Sequence, residues 1–176
     1  MNNIDLSSWK EFEIEKLFTI KPTKHHNLNN RQLFDDDGGN PVVVNSAYNN
    51  GVGGFTNKNV TENGNIITFS DTTDANSIFY QADCFVGYSH VQGMYPKFSD
   101  TDPLVLRFIA VVFKQKALTQ GFNYGNKFNR RVANKLKIKL PIKDSDLDYE
   151  YMKSYMTEID GIAKLKVNQM LELIGE

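Results

Sequence analysis

The sequence predicts an α/β fold of the α+β kind: a mixed or antiparallel sheet with short helices, followed by a long C-terminal helix of coiled-coil type. Three observations carry this. Short apolar runs at Val42-Val43-Val44, Ile66 to Phe69 and Ile78 to Tyr80 are separated by clusters of Gly, Asn, Asp and Ser, the pattern of strands joined by turns. Leu104 to Leu118 is apolar at 104, 105, 108, 109, 112 and 113, which is one face of a helix. From Leu147 to Ile174 apolar residues recur at spacings of three and four between polar ones, and these mark a second, longer helix.

In chain order, Trp9 to Ile20 (WKEFEIEKLFTI) predicts a strand running into a short helix, because the 12, 14 step alternates and the 14, 17, 18 steps are helical. His25 to Asn40 is polar, ends in DDDGGN before Pro41 and reads as an exposed loop. After the strand at Val42, SAYNNGVGGFTN contains Asn50-Gly51 and Gly53-Gly54, which read as tight turns with positive φ. SDTTDANS joins the next two strands, and Cys84 to Tyr88 with His90 and Val91 continue the β pattern. Pro103 opens the first long helix and Gly121 terminates it. A short helix over Asn129 to Asn134 precedes the strand LKIKLPI, where Leu136, Ile138 and Leu140 alternate with Lys137 and Lys139. The last helix, of about 28 residues or ~42 Å, carries the stripe Met152, Met156, Ile159, Ala163, Met170 and Ile174. Gly161 interrupts it as a weak helix former. The division expected is residues 1–143 as a recognition domain and 144–176 as a helix that seeks a partner helix, the alternative being that it packs back on its own domain.

Composition narrows the function. The 176 residues are 40% hydrophobic with 12 Phe and 8 Tyr, enough for a core. The single Cys rules out an internal disulfide framework. The polar, acidic start and the lack of any apolar run near ~18 residues lead us to expect a soluble, cytoplasmic chain without a membrane contact. Net charge is -1, but it is segregated. Residues 1–106 hold 7 Lys and Arg against 13 Asp and Glu, residues 107–143 hold 10 against none, and residues 144–176 hold 3 against 8. An acid-free basic segment is the electrostatic footprint of a polyanion partner, although a merely solvated basic face has the same composition.

Catalytic equipment is missing from the pattern. His25, His26, His90 and one Cys do not make a zinc set, and GVGGF lacks the third glycine of a dinucleotide loop. Pro-Pro, needed for a DNA amino-methyltransferase tetrapeptide, does not occur, and no lysine has an acidic residue two positions before it, as common Mg-dependent nucleases require. Asp71, Asp74 and Asp83 are the only carboxylates to suggest for a small hydrolase or sugar-binding site. No cofactor is called for, and a binding protein is expected.

The binding equipment lies in GFNYGNKFNRRVANKLKIKLP, Gly121 to Pro141. Arg and Lys contact phosphates, while Arg can also read guanine and Asn adenine. Phe122 and Phe128 read as core; Tyr124 reads as exposed. The chain's 19 Asn also fit an A+T-rich genome, which weakens any argument from their number.

Trp9 with Leu17-Phe18-x-Ile20, then NSAYNNGVGGF, GNIITFS, IFYQADCF and FNYGNKFNRRVANKLKIKLP together resemble a target recognition domain from the specificity subunits of type I restriction-modification systems and their type IIB and IIG relatives. The resemblance covers about residues 9–143, and its most diagnostic block is aromatic-x-Tyr-Gly-x-Lys before a strand ending Leu-Pro. It implies a non-catalytic reader of one half of a bipartite site in double-stranded DNA. In a complete subunit two such domains are separated by long helices that pair as an antiparallel coiled coil and dock the methyltransferase. With one domain and one helix this chain looks like a half-subunit, natural or truncated.

On that reading Lys127, Arg130, Arg131, Lys135 and Lys137 hold phosphates, and Thr72, Thr73, Asn76, Tyr124 and Asn126 face base edges. Lys139 caps the strand, Asn50 is more a turn former than a reader, and His90, Gln92, His25 and Arg31 are weaker candidates. The acidic N-terminal surface is expected to face away from DNA. Met152, Met156, Ile159, Ala163, Met170 and Ile174 are the expected partner face, toward a second copy and the DNA methyltransferase subunit, with a restriction subunit as a further partner. The alternative is a regulatory module that binds the methyltransferase without binding DNA.

Overall fold

In the computed structural model, which describes residues 6–72, 74–123 and 125–174, the first elements alternate quickly: β1 (Lys10–Glu13), α1 (Ile14–Leu17) and β2 (Phe18–Pro22). The strand and short helix expected across Trp9 to Ile20 are both present, but the chain returns to a strand at Phe18. The polar stretch after it is not only loop. It contains α2 (Asn30–Leu33), started by a capping box in which Asn29 and Gln32 satisfy each other's backbone N–H groups, and Leu33 from this turn is buried.

A hairpin follows, β3 (Asn40–Val43) and β4 (Val52–Thr56), joined through a single 3₁₀ turn at Asn49–Gly51. Asn50 and Gly51 have φ of 52° and 81°, as the turn reading requires. Gly53 and Gly54 depart from it: they lie within β4, outside the left-handed region. Their small size has a packing reason, since a Cβ on Gly53 would sit 2.5 Å from Val44 and one on Gly54 2.7 Å from the Phe34 ring.

The principal sheet has the order β2, β7 (Val91–Pro96), β5 (Ile66–Ser70), β6 (Phe79–Gln81), all antiparallel. Cys84 to Tyr88, expected to be strand, forms isolated β-bridges at Phe85 and Val86 in place of a strand. One face of the sheet is covered by α3 (Pro103–Leu118), whose start is capped by Asp102 accepting from the Leu104 N–H and which buries Leu106, Ile109 and Phe113. Gly121, at φ 65°, follows it. The short helix α4 (Arg130–Lys135), capped by Asn129, leads into β8 (Lys137–Leu140), which pairs antiparallel with β1. A two-stranded ribbon, β9 (Ile142–Lys143) and β10 (Asp146–Leu147), then delivers the chain to α5 (Tyr149–Ile174).

The long helix has two halves of different character. Its first turns pack on α3: Met152 and Met156 join the core, Trp9 touches Phe108 and Tyr151, and Arg107 holds Asp160 with both guanidinium nitrogens, at 2.7 and 2.6 Å. Beyond Asp160 every residue described is exposed. Met152 and Met156 are therefore spent on the chain's own core and are not available to a partner, which corrects that part of the expected stripe. Ile159 is half-buried, whereas Ala163, Met170 and Ile174 remain exposed.

Candidate nucleic-acid interface

Antiparallel pairing brings the C-terminal ends of β2 and β5 and the N-terminal ends of β6 and β7 to one end of the sheet. The loops 71–78 and 88–90 leave from there. The basic loop 121–129 reaches the same end because Phe128, fully buried, packs on Phe69 with ring centroids 4.9 Å apart, and Phe122 packs behind it at 5.2 Å. The core role expected for Phe122 and Phe128 is what fastens this loop.

Short polar side chains stitch the loops together. Ser70, at the end of β5, donates from its backbone N–H to Ser77 Oγ, and its hydroxyl contacts Asn45 Oδ1 and Thr72 Oγ1. Asn45 Nδ2–H in turn donates to the Ser89 carbonyl. Thr72 is half-buried and serves this network, while Asn76 is exposed beside the Asp74 carboxylate, which accepts from its backbone N–H. Asn123 closes the basic loop by accepting from the Gly125 and Asn126 N–H groups, which leaves the Asn126 side chain exposed. Thr73 and Tyr124 lie outside the described residues.

The basic residues divide into two sets. Lys127, Arg130 and Arg131 are exposed, and among the described residues neither arginine makes an ion pair. Lys135 and Lys137 are different. Lys135 of α4 meets Glu15 of α1 at 2.9 Å, and Lys137 meets Glu11 at 3.6 Å across the paired strands β8 and β1. Hydrogen bonding between Lys135 and Glu15 lowers the carboxyl pKa and raises that of the amine. Acidic side chains of β1 and α1 run beside the basic block and offset two of its charges. Lys139 is an exposed residue within β8, opposite Glu11, and caps nothing.

The weaker candidates also have defined places. Asn50 donates to the Tyr80 carbonyl and to Gln81, confirming its turn role. Gln92 is buried and donates to Asp71 Oδ2 at 2.8 Å, and the exposed His90 lies 3.3 Å from Asp71 Oδ1. The φ of 64° at His90, a non-glycine residue, has no signal in the sequence. His25 and His26 instead line a hollow with Leu28, Leu33 and Tyr88, and Arg31 is an exposed residue of α2. Among the described residues no group of three or more His, Cys, Asp or Glu is arranged to hold a metal ion; Asp71 is engaged by Gln92 of β7, and Asp74 accepts from the Asn76 N–H within its own loop. No helix among them is long and apolar enough to cross a membrane.

This arrangement of loops over a sheet end, beside exposed arginines, coincides with a family match. The model of the type I restriction modification DNA specificity domain matches residues 7–173. The chain belongs to that family. It is a family of specificity domains, and catalysis is not its part of the system. The crystal structure of a type I restriction-modification S subunit from M. genitalium is similar at 12% identity with a TM-score of 0.68, over 98% of this chain and 44% of that one. A second structure, concerned with complex assembly and conformational transition of the type I R-M system, is similar at 10% identity with a TM-score of 0.56, over 93% of this chain and 40% of that one. This specificity domain thus spans less than half the length of either. At these identities the likeness is one of fold. No curated protein matches the chain.

Proposed function

We propose that this specificity domain reads one half of a bipartite site in double-stranded DNA and brings a DNA methyltransferase subunit to it. The observation that carries the reading is the convergence, at one end of the sheet, of loops 71–78, 88–90 and 121–129, the last of which runs directly into the exposed pair Arg130 and Arg131 at the start of α4. Cations there hold phosphates and fix register, while loop side chains such as Asn76 and Asn126 face base edges. The domain supplies recognition only; the chemistry belongs to other subunits, and the system works in the cytoplasm.

The far half of α5 supports the partner side of the proposal. Leu165, Met170, Leu173 and Ile174 are between 59% and 78% exposed, an apolar surface that a soluble monomer rarely displays over so short a helix. A second copy packing antiparallel against it would set two half-sites in inverted orientation, with the methyltransferase, and a restriction subunit where one exists, docking on the paired helices. The test is co-purification with a methyltransferase subunit followed by mapping of modified sites in host DNA. Modification confined to one split motif is expected; no bound methyltransferase and no motif would overturn the reading.

A second reading has one observation in its favour. Glu15 and Glu11 occupy Lys135 and Lys137, which leaves a smaller cationic surface than the sequence suggests. A regulatory module that binds the methyltransferase without DNA would show the first result and not the second.

A further inference from the structure

His90 stands at the entrance to β7 in the left-handed region, with φ 64°. Its position is held from both sides: its carbonyl accepts from the Asp71 N–H at 3.0 Å, and the preceding Ser89 carbonyl accepts from Asn45 at 3.0 Å. Strained backbone at a non-glycine residue persists where the surroundings enforce it, and such residues concentrate at binding sites. The side chain thus presented is 67% exposed, at the same sheet end as loop 71–78.

Beneath it the hydrogen-bond inventory is incomplete in an informative way. A carboxylate only accepts, so Gln92 must turn its amide nitrogen toward Asp71 Oδ2, as it does at 2.8 Å. The other carboxylate oxygen, Asp71 Oδ1, is buried without a hydrogen bond, and so is Gln92 Oε1. The His90 Nδ1 atom lies 3.3 Å from Asp71 Oδ1, and a small rotation of the exposed ring aligns an Nδ1–H with it. A buried acceptor without a donor is costly, so the neutral ring keeps its proton on Nδ1. Nε2, on the far side of the ring, is then a bare acceptor.

We infer that Asp71 fixes the tautomer of His90 and that His90 is a specificity-determining residue, accepting a hydrogen bond from the exocyclic amine of adenine or cytosine in the major groove. Adenine N6 and cytosine N4 are the donors available there, whereas guanine and thymine offer O6, N7 and O4 as acceptors. Asp71 acts through His90 and is a positioning residue. The inference rests on the DNA-reading proposal above and adds the base class that one position selects.

The test is selection from a duplex library randomised throughout its insert, at about pH 8.5, where an imidazole is ordinarily neutral. The wild-type chain with its methyltransferase subunit is compared with H90A and D71N. The wild type should restrict one position to adenine or cytosine, and H90A should relax that position alone, by roughly ten-fold in discrimination. In D71N, with Gln92 Nε2 still donating to the side-chain oxygen, the new amide nitrogen stands where Oδ1 was and donates to Nδ1. The ring proton moves to Nε2, and the preference at that position should turn toward guanine or thymine. An unchanged motif in both variants, or an equal loss of binding to all sequences, overturns the assignment while leaving the domain a DNA reader. A wild-type chain that selects no motif overturns the DNA-reading proposal, and this inference with it.

Discussion

Phe69 and Phe128 lie with ring centroids 4.9 Å apart and planes inclined at 52°, both fully buried. Through this contact the end of β5 and the basic loop, far apart in sequence, share one anchor. Truncating Phe128 removes the contact and also its packing on Phe113 and Phe122. F128A should lower unfolding free energy by about 3–5 kcal/mol, measured by denaturant titration.

The division of the cations predicts an asymmetric salt response. Each phosphate neutralised contributes about -0.9 to the slope of log affinity against log salt. Substituting Arg130 and Arg131 together by Ala should reduce the magnitude of that slope by roughly 2 and weaken binding to all sequences alike. K135A and K137A should change it less, because Glu15 and Glu11 already face those amines. Fluorescence anisotropy across a salt series checks this.

Acid should loosen the seat of α5. Asp160 has its carboxyl pKa lowered chiefly by hydrogen bonds from Arg107, and Asp100 by the Asp102 N–H and then Lys153. A folded-state pKa below the unfolded one gives stability that is present above the ordinary carboxylate value and lost as pH falls through the folded value. The melting temperature should therefore fall below about pH 4. In R107Q the drop between neutral and acid pH should be smaller, since Asp160 no longer contributes to it.

Gly161 separates the docked and exposed halves of α5, and a Cβ there would meet nothing within 4 Å. G161A should stabilise the helix by about 0.5–1 kcal/mol. M170K with L173K should leave the melting temperature of the domain unchanged, because both side chains are exposed, yet abolish self-association in sedimentation at tens of micromolar.

Much of the helical architecture was legible because its signals are local. Pro103, Asn129 and the apolar period of residues 104–118 mark α3 and α4 directly, and the alternation around Ile138 marks β8. The capping box Asn29-x-x-Gln32 was equally readable, but four residues of helix vanish inside a polar stretch. β4 was obscured because glycine signals both a turn and a close approach, and only Val44 and Phe34 show which applies. The asparagines have a physical use that composition hides: Asn29 and Asn129 cap helices, while Asn27, Asn49, Asn50 and Asn65 occupy positive φ. Of the candidate site, the basic block was legible as charge. Its partial neutralisation was not, because Lys135 meets Glu15 only where α4 packs beside α1, and the His90, Asp71 and Gln92 group depends on tertiary hydrogen bonds for which sequence carries no period.

The central claim, that DNA lies on the sheet end formed by these loops, is tested most directly by photo-cross-linking the chain, with its methyltransferase subunit, to a duplex carrying the host motif. Mass spectrometry should recover cross-linked peptides from 71–78, 88–90 and 121–131. Cross-links confined to the β3–β4 hairpin or to the exposed half of α5, or none at all, would contradict it.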